Sequence, residues 1–134
     1  MKTIFVDLGG TLILNRNENG ILNEKLFKIL LKNKARLQLA VISDTSYDVT
    51  QVLHDFGITE TFKPFVITKY LFSIDKNSPD AYFFACNKIG TAPKDCLLID
   101  NEQGFVQAAS IAGMVTLSPD DDHLESRIEK FLSE

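Results

Sequence analysis

Three polar residues stand where apolar runs break off, and their types could carry a reaction. Ile4-Phe5-Val6 delivers Asp7, Val41-Ile42 delivers Ser43, and Leu97-Leu98-Ile99 delivers Asp100. A carboxylate at such a place can act as a nucleophile or a hard-oxygen cation ligand, or simply form the turn. A serine after an apolar run often caps a helix or makes a turn of its own. A lysine, Lys76, lies three residues ahead of Pro79; the alternative for any lysine is a solvated surface position. Directly after Asp7 comes the tight turn Leu8-Gly9-Gly10-Thr11. What favours chemistry over turn formation is convergence. In open parallel sheets, ligands bind beyond the carboxyl ends of the strands, where Asp7, Ser43 and Asp100 are expected.

The elements needed to position them alternate regularly. Strands are expected over residues 3–6, 37–42, 65–68, 96–99 and 114–117. The helix over 23–34 has Asn23 as N-cap and Leu26, Phe27, Leu30 and Leu31 on one face. A second helix is expected over 46–56, with Val49, Val52, Leu53 and Phe56 inward and Gly57 stopping it. Ser78-Pro79 opens a third helix that Gly90 ends, a cap followed by Pro at the first helical position. The small-residue helix 104–112 closes at Gly113. Ser118-Pro119-Asp120-Asp121 reads as a capping-box start for the last helix, with Leu124, Ile128, Phe131 and Leu132 inward. Ile13-Leu14 and Ile21-Leu22 flank a polar turn, which predicts a hairpin flap after the first strand. Five strands alternating with helices imply an α/β fold with a parallel sheet and right-handed crossovers. No repeat or linker interrupts the pattern, so residues 1–134 are expected to form one domain.

Composition narrows the function classes. The chain has 134 residues, 45% of them hydrophobic and 24% charged, as in a globular soluble protein. Its net charge of −4 argues against nucleic acid as partner, because binding phosphate backbones wants a basic face. Apolar runs are far too short for a membrane span. Met1-Lys2 leads straight into strand-like sequence with no apolar signal segment, so a cytoplasmic location is expected. Cys86 and Cys96 match no metal or redox spacing and are expected to be reduced thiols.

The segment Ile4–Leu12 resembles the nucleophile loop of the haloacid dehalogenase (HAD) superfamily, whose phosphatases read Asp-x-Asp-Gly-Thr followed by Leu or Val. Three further segments follow in that family's order. Val41-Ile42-Ser43-Asp44 fits its strand-end hydroxyl. Lys76-Asn77-Ser78-Pro79 keeps the lysine and second proline of its Lys-Pro-x-Pro. Leu97-Leu98-Ile99-Asp100-Asn101 fits its acidic strand end, and Ala108-Ala109-Ser110-Ile111-Ala112-Gly113-Met114 resembles its helix exit. The resemblance covers nearly the whole chain. It implies a Rossmann-like sheet with the five strands in order 5-4-1-2-3, helices on both faces, a hairpin flap and no cap domain.

The resemblance also assigns roles. Asp7 would attack phosphorus, and Ser43, Gly10 and Thr11 would bind the phosphoryl group. Lys76 would neutralise nucleophile and phosphate, with Lys69 the reserve candidate. Asp7, Asp100 and the backbone carbonyl of Gly9 would ligate Mg²⁺. The departure is Gly9, which stands where the family's phosphatases place the aspartate that moves the proton. General acid–base help is worth roughly 10²–10⁴-fold, so its loss implies a slow phosphohydrolase rather than a dead one. Gly9 is also expected to risk a positive φ that would resist a side chain. Asp44, Asp75 and Glu102 are acidic neighbours that could substitute, while His54 and His123 lie on expected helix surfaces. The alternative is a catalytically impaired HAD-fold protein that binds a phosphorylated ligand or partner protein through the same open face. A phospho-accepting receiver domain is excluded, because Leu8-Gly9, Thr68-Lys69 and Ser118-Pro119 occupy the places where it needs its acidic pair, acceptor and lysine. Substrate identity and oligomeric state stay open; an open site would suit macromolecular phosphates, or small ones if a neighbouring subunit supplied a lid.

Overall fold

A computed structural model describes residues 1–14 and 20–134. The polar turn after Leu14 falls on residues 15–19, outside the described residues. The strands among the described residues are β1 (Lys2–Val6), β2 (Ile13–Leu14), β3 (Ile21–Leu22), β4 (Leu37–Ser43), β5 (Val66–Thr68), β6 (Cys96–Ile99) and β7 (Val115–Leu117). The helices are α1 (Glu24–Lys32), α2 (Thr50–Asp55), α3 (Thr59–Phe62), α4 (Lys69–Phe72), α5 (Pro79–Ile89), α6 (Gln103–Ile111) and α7 (Leu124–Ser133).

The main sheet runs β5-β4-β1-β6-β7, with every pairing parallel. Counting its five strands in chain order gives 5-4-1-2-3 when read from the β7 edge, as expected. Residues 3–6 of β1 are completely buried, because helices cover both faces of this central strand. Ile4 and Val6 face one core with Leu26 and Leu30 of α1, Leu53 of α2 and Ile128 of α7. Phe5 faces the other with Tyr82 and Ala85 of α5 and Ala109 of α6. β2 and β3 form the expected antiparallel hairpin, with Ile13 opposite Leu22 and Leu14 opposite Ile21. No described helix is long and apolar enough to cross a membrane.

Helix ends follow local chemistry. Asn23 caps α1 by accepting from the Leu26 N–H, and Ser78 caps α5 by accepting from Asp80, with Gly90 in the left-handed conformation closing it. Three details depart from expectation. α2 begins at Thr50 rather than Ser46, because Asp48 accepts from both the backbone and the hydroxyl of Thr50 and holds a turn there. α7 begins at Leu124, because Ser118 and Asp121 spend their side chains on tight turns to Asp120 and His123 instead of capping a helix. On α1 it is Ile29, not Leu31, that joins the core, and Leu31 is exposed. Ile29-Leu30-Leu31 are three apolar residues in a row, and only the first two fit the inward arc.

Candidate active site

Register brings the two aspartates side by side. Val6 pairs with Ile99, so Asp7 and Asp100 leave the carboxyl ends of adjacent central strands. The ladder runs on past the strand ends: Asp7 N–H donates to the Ile99 carbonyl and Asp100 N–H to that of Leu117. Lys76 reaches between them from the segment just before α5. Its ammonium donates to Asp7 Oδ1 at 2.8 Å, to Asp100 Oδ2 at 2.8 Å and to the Ile42 carbonyl at 3.3 Å. Those three acceptors use all three of its N–H bonds. Lys76 is completely buried, with its Nζ 4.5 Å from the centroid of the Phe105 ring. Its backbone is held by the Tyr82 hydroxyl, which donates to the Lys76 carbonyl at 2.9 Å.

Two buried carboxylates share one buried ammonium, leaving the cluster one negative charge in excess. Burial raises the Asp7 pKa above its ordinary value of 3.8; Lys76 opposes that rise and the Asp100 charge adds to it. An acid raised in the folded state gives its full stabilising contribution below 3.8 and loses it as pH rises through the folded value. At neutral pH the charge on Asp7 therefore works against folding. Asp7→Asn keeps an acceptor for Lys76 while removing that charge, and thermal denaturation at pH 7 should show a raised melting temperature. An unchanged or lower value would mean that the ion pair outweighs the burial.

The loop after Asp7 is built around two glycines with different demands. Gly10 has φ +80°, and a Cβ on it would lie 2.7 Å from Asn101 Nδ2. Only glycine fits there. Gly9 has no such constraint: its φ lies outside the left-handed region and a Cβ would meet nothing within 4 Å. The expectation of a positive φ at Gly9 is thus corrected, the left-handed turn being made by Gly10. Thr11 is buried, and its hydroxyl lies 3.4 Å from Asp7 Oδ2 and 3.3 Å from Asn101 Oδ1.

The second carboxylate is braced from behind, with Asp100 Oδ1 accepting from the Glu102 N–H at 2.9 Å. Among the described residues no cluster of three or more His, Cys, Asp or Glu side chains forms a metal cage. A cage is not what Mg²⁺ needs beside a phosphate, since one or two carboxylates with waters suffice. Asp7 and Asp100 would supply those, the excess negative charge suits a cation, and the long contact from Thr11 leaves Asp7 Oδ2 open to another partner. The donor set fits.

Ser43 is buried at the end of β4, next to the Ile42 carbonyl that receives Lys76 and in register with the buried Thr68. Lys69 begins α4 on the surface, apart from the cluster. Asp44, Asp75 and Glu102 are exposed, and among the described residues none of their carboxylates bonds Asp7, Lys76 or Asp100. His54 and His123 are exposed as expected. Sequence reasoning assigned no role to Tyr82, Phe105 or Asn101. Asn101 lies inside a motif segment and Tyr82 just beyond one, but both act through contacts that only the fold creates, and Phe105 carries no sequence signal at all.

A family model described as haloacid dehalogenase-like hydrolase matches residues 20–113. That span holds Ser43, Lys76 and Asp100 and begins after the Asp7 loop. No curated protein matches the sequence. Solved structures share the fold at low identity. A hydrolase from Streptococcus pneumoniae is 16% identical with a TM-score of 0.78, over 96% of this chain and 97% of that one. An uncharacterized protein from Corynebacterium glutamicum is 18% identical at 0.76, over 99% and 96%. A HAD family enzyme from Bacteroides thetaiotaomicron, in complex with magnesium and inorganic phosphate, is 17% identical at 0.73, over 92% and 98%.

Proposed function

The chain belongs to the haloacid dehalogenase-like hydrolases, and from that premise we propose a Mg²⁺-dependent phosphohydrolase that works through an aspartyl-phosphate on Asp7, slowed by the glycine at position 9. The observation that carries this reading is the completely buried Lys76 ammonium 2.8 Å from both Asp7 and Asp100. Burying three charges together is costly for stability, and such arrangements cluster at sites where the charge is used.

In the proposed reaction Asp7 attacks phosphorus in line with the departing oxygen. Lys76 holds the attacking carboxylate in place and offsets charge as the phosphoryl group approaches. The turn of Gly10 and Thr11, with Ser43 on the neighbouring strand, would supply donors to the phosphoryl oxygens. Mg²⁺, when held by Asp7, Asp100 and the Gly9 carbonyl, would neutralise further phosphate charge. Water then cleaves the aspartyl-phosphate. Neither half of the reaction has a proton carrier at position 9, so both are slow. The short sequence between Leu12 and Asn23 leaves no room for a cap, so the chain would be a single capless domain with an open site.

Leaving-group dependence tests this reading. Alkyl phosphates need a proton as they leave; acyl and nitrophenyl phosphates do not. With Mg²⁺ present, turnover should rise steeply as the pKa of the leaving group falls. A flat dependence would mean that another residue supplies the proton, Asp44 being the first to replace. No turnover of any ester, with phosphate still bound, would favour a phospholigand-binding face instead.

A further inference from the structure

The chain's two cysteines meet inside the core, away from the cluster of Asp7, Lys76 and Asp100. Cys86 lies on α5 and Cys96 opens β6; both are buried and free, and their sulfurs are 3.4 Å apart. They do not share a spacing that marks a redox motif, and their approach comes from the packing of α5 on the sheet. Cys86 also lines a surface pocket of about 280 Å³ together with Phe83, Gly90 and Pro93. Cys86 lines that pocket and Cys96 does not, so a small reagent there would come nearer to Cys86.

We propose that Cys86 and Cys96 form an oxidisable dithiol, in which Cys86 attacks a small hydroperoxide entering this pocket and Cys96 resolves the product to an internal disulfide. The hydrogen bonding suits that division of labour. With both thiols protonated, Cys86 S–H donates to Cys96, and Cys96 S–H lies 3.8 Å from the Thr91 carbonyl. Once Cys86 loses its proton, Cys96 S–H is the donor left beside it. That bond lowers the Cys86 pKa against the opposing effect of burial, while the Cys86 neighbour and burial both push Cys96 up. In the first step the Cys86 thiolate attacks the peroxide oxygen. An S–O bond forms, the O–O bond breaks, and the thiol proton leaves with the alcohol or water released. In the second step the Cys96 sulfur displaces hydroxide from the Cys86 sulfenic acid, and its proton leaves in water. Two electrons pass from the sulfur pair to the peroxide. The sulfurs must close from 3.4 Å to roughly 2.05 Å, a short movement within the packed layer.

The test is intact-mass analysis of the folded protein after hydrogen peroxide, a catalase quench and alkylation in denaturant. The expected product is a monomer lighter by two hydrogens that takes no alkylating group, and that takes two after reduction. Cys96→Ser should stop at a Cys86 sulfenic acid captured by dimedone, whereas Cys86→Ser should leave Cys96 unoxidised. The proposal is overturned if the parent keeps two alkylatable thiols, if it gains oxygen as sulfinic or sulfonic acid, or if the bridge forms only between molecules.

Discussion

Gly9→Asp should raise phosphatase turnover by roughly ten- to a thousand-fold, because it would place a proton carrier beside the proposed nucleophile Asp7. The local geometry permits the change. Gly9 is exposed, its backbone is not left-handed, and the new Cβ would touch nothing within 4 Å. Stability should be nearly unchanged, since a side chain at a compatible position also restricts the unfolded chain. The neighbouring glycine provides the control. Gly10→Asp forces a side chain onto a φ of +80° and drives its Cβ to 2.7 Å from Asn101, so that variant should lose stability and gain no activity. Steady-state assays of both variants against alkyl and nitrophenyl phosphates decide the matter. The largest gain should fall on the alkyl esters, which most need the proton. If Gly9→Asp folds and turns over no faster, the missing acid is not what limits this site.

Lys76→Met should be the most damaging single change in the chain. It removes the ammonium that balances Asp7 and Asp100 and leaves both carboxylates buried beside each other. Taking one partner from a buried ion pair costs about 3–5 kcal/mol, a large part of the stability of a domain this size. The deficit should depend on pH with a definite sign. Lys76 lowers the Asp7 pKa in the parent, so without it the carboxyl rises further above 3.8. A raised acid contributes its stability below the unfolded value and loses it as pH rises through the folded one. Denaturant titrations should therefore show parent and variant far apart at pH 8 and closer together near pH 4. A constant gap across that range would mean that the loss is one of packing against Phe105 and not of charge. Turnover should fall by at least the hundred-fold typical of a lost electrostatic contact at a reacting centre.

The features legible in the sequence are those fixed by local chemistry. The Asn23 cap, the Ser78-Pro79 start and the Gly90 stop each state their backbone geometry in the residue itself. Apolar runs ending in Asp7, Ser43 and Asp100 likewise gave the strand ends, and strand order followed from the family resemblance. Where two local options compete, the sequence misleads. Asp48 and Ser118 both suit helix caps, yet each is bound into a turn by a neighbour two residues on, and the helices start later. The support of Lys76 was not legible at all. Tyr82 holds its carbonyl and Phe105 lies against its ammonium only because α5 and α6 pack side by side on one face of the sheet. The same packing brings together Cys86 and Cys96, ten residues apart and without any spacing signal. The freedom of Gly9 is also tertiary in origin, since nothing in Gly9-Gly10 says which of the two glycines takes the left-handed turn.

The central claim is that Asp7 accepts a phosphoryl group and gives it up slowly. The direct measurement is mass analysis of the intact protein, quenched in acid after exposure to acetyl phosphate and Mg²⁺, with peptide mapping of any adduct. The parent should carry one phosphoryl group on Asp7, Asp7→Asn none, and Gly9→Asp a shorter-lived adduct. A parent that carries no phosphoryl group, or carries it on another residue, while still binding Mg²⁺ would contradict that claim.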